Sequence, residues 1–188
     1  ISSLKDVFLI DDNLNVRYIA KDGKEYGDNI ENKILEDETK IRFSNKAFSE
    51  YVSKISGVTE NEAKFKWMKN QKSLKIDDAN ITNLWDLVFF PNLTSLDING
   101  LTLDNLDGIE NCKNLQSMNG YSIVNDLGKI NYLNECTSVR ITGLQNFDNV
   151  IDSLKGLEKL RILVISGNIT IKSMRRIHEL SNSLVTIG

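Results

Sequence analysis

A repeat of 21 to 24 residues runs from Gln71 to the C-terminus and constrains the fold more than any other feature of the chain. The repeats align on an apolar pattern, because Leu, Ile, Met or Val stands three and five residues after nearly every start. The starts are Gln71, Leu93, Leu115, Cys136 and Leu160. A unit this short cannot bury its apolar side alone, so neighbouring units must stack into a continuous core. The sequence therefore predicts one short strand and one return segment per repeat.

Side-chain alternation along each predicted strand separates an inner face from an outer one. Residues at the third and fifth places after each start point into the core, and those at the second, fourth and sixth places point to a concave face. The strands are predicted near Ser73–Ile76, Ser95–Ile98, Ser117–Gly120, Ser138–Ile141 and Ile162–Ile165, with a truncated sixth start at Leu184. The spacing L-x-x-L-x-L at a period of about 20–29 residues is typical of a leucine-rich repeat. We therefore predict an α/β leucine-rich-repeat solenoid over residues 71–188.

Two regions precede the repeats. Residues 1–42 are predicted to be a β-rich appendage, with strands at Val7–Ile10, Val16–Ala20 and about Glu25–Tyr26. Turn clusters at 11–15 and 21–24 separate these strands, the second containing the hairpin signal Asp-Gly.

Residues 43–70 are predicted to be a helical cap that covers the first repeat. A helix opens at a Ser44 N-cap, ends at Gly57 and carries apolar residues at helical spacing. These apolar residues are Phe48, Tyr51, Val52 and Ile55. The capping-box pattern Thr59-x-x-Glu62 predicts a second, short helix. At the far end of the array, Met174, Ile177 and Leu180 predict a last return helix.

At Leu93-x-x-Leu96-x-Ile98, followed by Leu106-x-x-Ile109, the array resembles the leucine-rich repeats of bacterial internalins, whose period is about 22 residues. The helix, the Val-Thr pair and the first repeat look like the helical N-terminal cap of that family, so the resemblance covers residues 43–188. It implies a secreted or surface-attached protein that binds other proteins through its concave sheet. The family's usual asparagine, eight residues after each start, is present only at Asn168.

Outward residues at the fourth and sixth places form the candidate binding face, whereas the serines at the second place are expected to relieve crowding. The candidates are Lys75, Asp77, Asp97, Asn99, Asn119, Tyr121, Arg140, Thr142, Ile162 and Val164. Tyr121 and Arg140 are of the types enriched in binding hot spots. The alternative is a solvated sheet face without a partner.

The fifth strand is apolar on both faces, and such a strand is expected to be covered on both. A partner, a second copy of the chain or a further repeat could cover Ile162 and Val164. Self-association through these two residues is therefore one expectation, and exposed aliphatic side chains without a partner are the other.

Charge and cysteine content limit the other possibilities. With a net charge of −3 and a pI near 5.3, the chain lacks the clustered Lys and Arg that nucleic-acid binding requires. No stretch approaches the ~20 apolar residues that span a membrane. Cys112 and Cys136 fall in different apolar columns, beyond the ~7 Å Cα separation that a disulfide allows. We expect no nucleic-acid partner, no membrane insertion and two buried, reduced thiols.

The sequence predicts no catalytic residue, cofactor or metal. The one histidine, His178, has no nucleophile at a recognisable spacing. The triplet Asp11-x-Asn13-x-Asn15 begins like a calcium loop, but Val16 stands where glycine is needed, so a turn is favoured. Trp85 is predicted to face outward and pack on the cap, and the basic residues near His178 are expected to be a solvated face.

We expect a non-catalytic module that binds a protein partner through the concave sheet of a bacterial secreted or cell-surface protein. A structural spacer in a larger protein and an intracellular regulatory subunit are the alternatives, and a cytoplasmic location stays open.

Overall fold

The structure, a computed structural model, describes residues 7–10, 16–19, 25–26, 37–38, 40–60, 62–121, 123–144, 147–167, 170–180 and 186–187. The predicted turns at 11–15 and 21–24, the family-type asparagine Asn168 and the predicted sixth start at Leu184 lie outside these residues. The chain divides into two compact units, Ile1–Asn70 and Gln71–Gly188.

Strands are numbered along the whole chain. Their bounds are β1 Val7–Ile10, β2 Val16–Ile19, β3 Glu25–Tyr26, β4 Ser73–Lys75, β5 Ser95–Ile98, β6 Leu103–Asn105, β7 Ser117–Tyr121, β8 Ile123–Asp126, β9 Ser138–Leu144, β10 Ile162–Gly167 and β11 Thr186–Ile187. The α-helices are α1 Lys46–Ser56, α2 Phe65–Lys69, α3 Phe147–Leu154 and α4 Ile171–Arg175.

In the first unit, β1, β2 and β3 form an antiparallel sheet in that order, which confirms the three predicted strands. Further along the unit, the backbone N–H of Ile41 donates to the Ala63 carbonyl over 2.9 Å, and Lys40 forms an isolated antiparallel bridge with Lys64. Ion pairs of Glu38 with Lys64 and of Asp37 with Lys69 join the same two segments.

The predicted N-cap residue of α1, Ser44, is wrong by one residue. Asn45, in an extended conformation, is the N-cap, and its Oδ1 accepts from the N–H of Ala47 at 2.8 Å. Asparagine and serine are comparable N-caps, so the sequence alone did not separate Ser44 from its neighbour. The predicted C-terminal stop is confirmed, because Gly57 has a φ of +73°. Ile55 lies at the edge of the apolar stripe and is 42% exposed.

The predicted capping box does not open the second helix. The N–H of Glu62 donates to the Thr59 carbonyl in a turn, and α2 begins only at Phe65. Lys64 is the N-cap and makes no side-chain capping bond. Lys40 pairs with Glu62, so this carboxylate is committed to an ion pair rather than to a helix end.

The second unit has a mixed α/β fold built on a six-stranded parallel sheet in the order β11-β10-β9-β7-β5-β4. Each repeat contributes one strand, and residues at the same place in successive repeats pair with each other. One buried row across the sheet consists of Leu74, Leu96, Met118, Val139 and Leu163. The constant apolar residues of the repeat therefore fix the register, because a slip by one residue would turn this row to the other face.

Return segments in the first three repeats bury every third residue. The buried series are Ile81, Leu84, Leu87, Phe90; then Leu103, Leu106, Ile109, Cys112; then Leu127, Ile130, Leu133, Cys136. A 3-10 helix has three residues per turn, so this spacing places one buried row along it. Accordingly, 3-10 helices occur at Trp85–Phe89, Ile109–Asn111 and Gly128–Tyr132.

The fourth return segment differs because its spacing differs. Its buried residues are Phe147, Val150, Ile151 and Leu154, which follow the i, i+3, i+4, i+7 pattern of an α-helix. That segment is α3. In the fifth, the predicted helix is split into α4 and a 3-10 helix at Arg176–Glu179. Met174, one of the three apolar residues that predicted this helix, is 49% exposed.

One hydrogen-bond pattern recurs where each strand begins. The Lys72 carbonyl accepts from the N–H groups of both Thr94 and Ser95, at 2.9 and 3.0 Å. The Thr94, Gln116 and Thr137 carbonyls each accept two N–H groups from the following repeat in the same way. Each repeat is thereby fixed to the one before it at the strand entry.

A second, two-stranded parallel sheet joins β6 to β8, with Leu103 opposite Ile123. One strand and one return segment were predicted for each repeat, so this second sheet was not predicted. Its strands are short and lack a clear alternation, so no pattern separated them from the residues around them.

Backbones of neighbouring repeats approach closely at two glycines. A Cβ on Gly100 would lie 2.5 Å from the Asp77 Cα, and one on Gly108 would lie 2.4 Å from the Leu84 carbonyl carbon. Gly108 also has a φ of +98°, which other residues rarely adopt. These contacts require glycine at both positions.

Candidate functional site

The outward side chains of the main sheet form three rows, which alternate with the buried rows. The first row is Ser73, Ser95, Ser117, Ser138 and Ile162; the second is Lys75, Asp97, Asn119, Arg140 and Val164; the third is Asp77, Asn99, Thr142 and Ser166. The backbone of Tyr121, which was predicted for the third row, pairs with that of Thr142. Together these rows are called the sheet face. Its members among the predicted binding residues are exposed at Lys75, Asp77, Asn99, Arg140 and Ile162, and half-buried at Asp97, Asn119, Thr142 and Val164.

Strand pairing brings the second row together in sequence order. Lys75 lies opposite Asp97, Asp97 opposite Asn119, Asn119 opposite Arg140, and Arg140 opposite Val164. Strands are spaced at about 4.8 Å, so the five positions extend over about 19 Å. The row changes from charged to neutral to charged to apolar along that distance.

The face differs from one end to the other. Asp77 and Asp97 lie at the β4 and β5 end, and the Asp97 carboxylate accepts from the Asn99 backbone N–H at 3.0 Å. Arg140 lies on β9, and Ile162 and Val164 follow on β10. The face therefore holds one lysine and two aspartates at the β4 and β5 end, with a net negative charge, and is basic and apolar at the β9 and β10 end.

Strands lengthen toward the basic end, from three residues in β4 and four in β5 to seven in β9 and six in β10. The extension of β9 passes through Gly143, whose φ is +76°. The pairing of β10 shifts register between Ile165 and Gly167. Bulges of this kind redirect the strand, and the sheet face is widest where Arg140 and Val164 lie.

On the return side, one side-chain cluster spans three repeats. Lys129 Nζ is 2.9 Å from Glu110 Oε1 and 3.7 Å from Asp107 Oδ1, and it lies 5.5 Å from the centre of the Trp85 ring. The other oxygen of Glu110 accepts from the Gly108 backbone N–H at 2.8 Å. The hydrogen bond to Glu110, more than the nearby charges, raises the pKa of Lys129. Trp85 thus supports an ion pair between return segments, a contact that the sequence analysis did not predict.

The predicted basic patch on the last return segment is partly neutralised. Arg176 contacts Asp152 at 2.6 Å and Glu179 at 3.0 Å, and Lys155 contacts the same two carboxylates. Hydrogen bonds from Arg176 and Lys155 lower the pKa of Glu179 to about 2. The four charges join α3 to the segment that follows α4, so Arg176 contributes to structure. Lys172, Arg175 and His178 are exposed, as expected of a solvated face.

Within the described residues, no group of three or more His, Cys, Asp or Glu side chains is arranged to hold a metal ion. Cys112 and Cys136 are buried and free, as predicted, and burial raises their pKa values to about 12 and about 11. A thiol that stays protonated is a poor nucleophile. No helix in the described part of the chain is long and apolar enough to cross a membrane.

Comparison with known proteins matches the chain to solved structures only. No protein-family model and no curated protein sequence matches the chain. Among solved structures, the chain is similar to an internalin C2 from Listeria monocytogenes at 12% identity and a TM-score of 0.28, covering 78% of this chain and 93% of that chain. A likeness at this TM-score does not assign a family, and the fold rests on the strand pairing of the repeats.

Proposed function

We propose that residues 71–188 are a leucine-rich-repeat solenoid that binds a protein partner through its concave sheet face, without catalysing a reaction. The observation that carries this proposal is a contrast between rows. Inward rows keep Leu, Ile, Met or Val in nearly every repeat, whereas the second outward row changes chemistry at every strand and the third at most of them. Constant inward rows serve the core, and variable outward rows offer a surface whose shape and charge can suit a partner.

The size of the face is consistent with a modest interface. Five strands at about 4.8 Å give a row of about 19 Å in length. A partner that follows this row would bury an area near the lower end of standard protein interfaces. Arg140 is the sheet-face residue best suited to act as a hot spot, because arginine is enriched among residues that lose the most binding energy on truncation. Asp97, Asn119 and Thr142 add hydrogen-bonding groups around it.

A selection experiment tests the proposal. The full chain is immobilised and used to select binders from a phage library of random linear peptides, and the enriched peptides are titrated against two variants. Asn119→Arg places a long charged side chain at the centre of the sheet face. Asn134→Arg makes the same change at an exposed position on the return side. We expect the first variant to weaken the enriched peptides by about tenfold and the second to leave them unchanged.

Enriched peptides that bind both variants alike would place recognition elsewhere and overturn the proposal, as would the absence of any enriched peptide. For the cellular setting, we propose a secreted or surface-attached bacterial protein. Its test is fractionation of the source cells, in which recovery only from the cytoplasm would contradict it.

A further inference from the structure

Two apolar side chains interrupt polar rows of the sheet face. The first row holds serine on β4, β5, β7 and β9 but Ile162 on β10, and the second row holds polar residues until Val164. Ile162 is 42% exposed although it lies within a paired strand. Both side chains lie two residues apart on one strand, so they form a continuous apolar surface of two residues. Leu163 and Ile165 are buried on the opposite face, so the core does not use Ile162 and Val164.

Arg140 lies beside this surface and has no carboxylate partner within the described part of the chain. It is exposed and pairs in register with Val164. Basic side chains elsewhere in the unit, such as Lys129, Lys159 and Arg176, have one or more carboxylates within 4 Å. An arginine without a carboxylate partner among the described residues, in a unit where other basic side chains have one, is available to a ligand.

The sheet face cannot neutralise Arg140 by itself. Its nearest carboxylate in the second row, Asp97, lies two strands away, which is about 10 Å, and it already accepts a backbone hydrogen bond from Asn99. Arg161, which is exposed and directly precedes β10, adds positive charge at the same end. The β9 and β10 end of the face is thus locally basic in a chain whose net charge is negative.

We propose that this end of the sheet face binds a protein segment that presents a carboxylate beside an aliphatic or aromatic side chain. The carboxylate binds the Arg140 guanidinium through two parallel hydrogen bonds, and the apolar side chain covers Ile162 and Val164. Arginine suits this role because its planar fork matches both oxygens of a carboxylate. The inference rests on the proposed function and adds the chemistry of the partner.

A second copy of the chain fits this surface less well. A twofold axis through the surface formed by Arg140, Ile162 and Val164 would bury the same surface of both copies, and this surface holds no carboxylate that could pair with Arg140 of the other copy. A partner with an acidic-apolar segment satisfies the charge and the apolar surface together.

The test uses the sequences and affinities of the peptides selected on the full chain. We expect Asp or Glu within two residues of Leu, Ile, Val, Phe, Tyr or Trp to be enriched over the unselected library. The best peptide should weaken by about tenfold against Arg140→Glu and against Val164→Asn, and it should bind Arg42→Glu as it binds the unchanged protein. Arg42 is an exposed arginine that belongs to the other unit and to none of the three rows, so this control makes the same charge change outside the sheet face.

Opposite outcomes separate this inference from the proposed function. Peptides that are lost on Asn119→Arg but kept on Arg140→Glu would leave the sheet face as the binding site and overturn the acidic-apolar partner. Enrichment of basic or uncharged peptides would do the same. A dimer in light scattering that dissociates in Val164→Asn would identify a second copy as the occupant and also overturn the inference.

Discussion

Single residues in this chain are constrained most tightly where two repeats touch. Gly100 and Gly108 lie where one backbone passes over another, so their lack of a side chain sets the distance between repeats. Neither position was singled out from the sequence. Glycine is common in turns, and the close approach depends on where the preceding repeat places its backbone.

Replacement of Gly108 by alanine is expected to destabilise the protein by about 2–4 kcal/mol. The added Cβ would meet the Leu84 carbonyl carbon at 2.4 Å, and the φ of +98° is strained for alanine. Gly57→Ala is the matched control, since Gly57 also has a positive φ but no atom within 4 Å of an added Cβ. That control should cost about 1 kcal/mol. Urea unfolding measures both, and equal losses would show that the close contact relaxes freely.

The two cysteines should be inert in the folded protein. Burial raises the pKa values of Cys112 and Cys136 to about 12 and about 11, so neither thiol ionises near neutral pH. We expect a water-soluble maleimide at pH 8 to modify neither residue in native protein and both in denaturant. In the unfolded chain the thiols ionise from about pH 8.5, so stability should fall as the pH rises from there toward 11. Rapid labelling of the native protein would contradict the burial of these side chains.

For the strands and helices, the successes and failures of prediction from the sequence have identifiable reasons. The strands of the main sheet could be predicted because Leu-x-x-Leu-x-Ile recurs at nearly constant spacing and one buried face demands one register. The 3-10 return segments could have been predicted from the spacing of three between residues such as Leu84, Leu87 and Phe90. The contact between Trp85 and Lys129 could not, because it joins residues two repeats apart and depends on the path of both return segments.

The predicted positions of the candidate site followed from the same alternation, since the sheet face is the side that the repeat leaves polar. What sequence could not give was the local charge. Arg176 and Arg140 look alike in the sequence, yet Arg176 has two carboxylates within 3.0 Å and Arg140 has none among the described residues. That difference depends on which return segments are neighbours.

The ion network around Arg176 should make stability depend on pH. Hydrogen bonds from Lys155 and Arg176 lower the pKa of Asp152, and those from the same two cations lower the pKa of Glu179 to about 2. Folded-state pKa values below the unfolded ones stabilise the protein above about pH 4, and this contribution is lost as the pH falls toward 2.

Comparison of the urea midpoints of the unchanged protein and Arg176→Gln tests the network. We expect a small loss at pH 7 that disappears as the pH falls from 5 to 2, and a smaller difference in high salt because all four charges are accessible to water. Arg175→Gln removes a neighbouring exposed arginine and should show no such pH dependence. A loss in Arg176→Gln that is equal at both ends of the pH range would assign the effect to packing.

For the whole molecule, the oligomeric state is the property that bears most directly on the sheet face. Self-association through Ile162 and Val164 is one use of its apolar end, but the adjacent Arg140 favours a different molecule. We therefore expect the purified chain to be a monomer in light scattering over a concentration series, with Val164→Glu unchanged. A dimer that is lost in Val164→Glu would show that a second copy occupies the face.

The order in which this unit can assemble follows from the backbone carbonyls that accept hydrogen bonds from the start of the next strand. The Lys72 carbonyl accepts hydrogen bonds from the N–H groups of Thr94 and Ser95. The carbonyls of Thr94, Gln116 and Thr137 accept in the same way from the repeat that follows each of them. For these four carbonyls, the acceptor precedes its donors in the chain. A polypeptide leaving the ribosome from its N-terminal end would therefore find each acceptor already in place when its donors emerge. The stack can grow during translation, one repeat at a time, without waiting for the C-terminus.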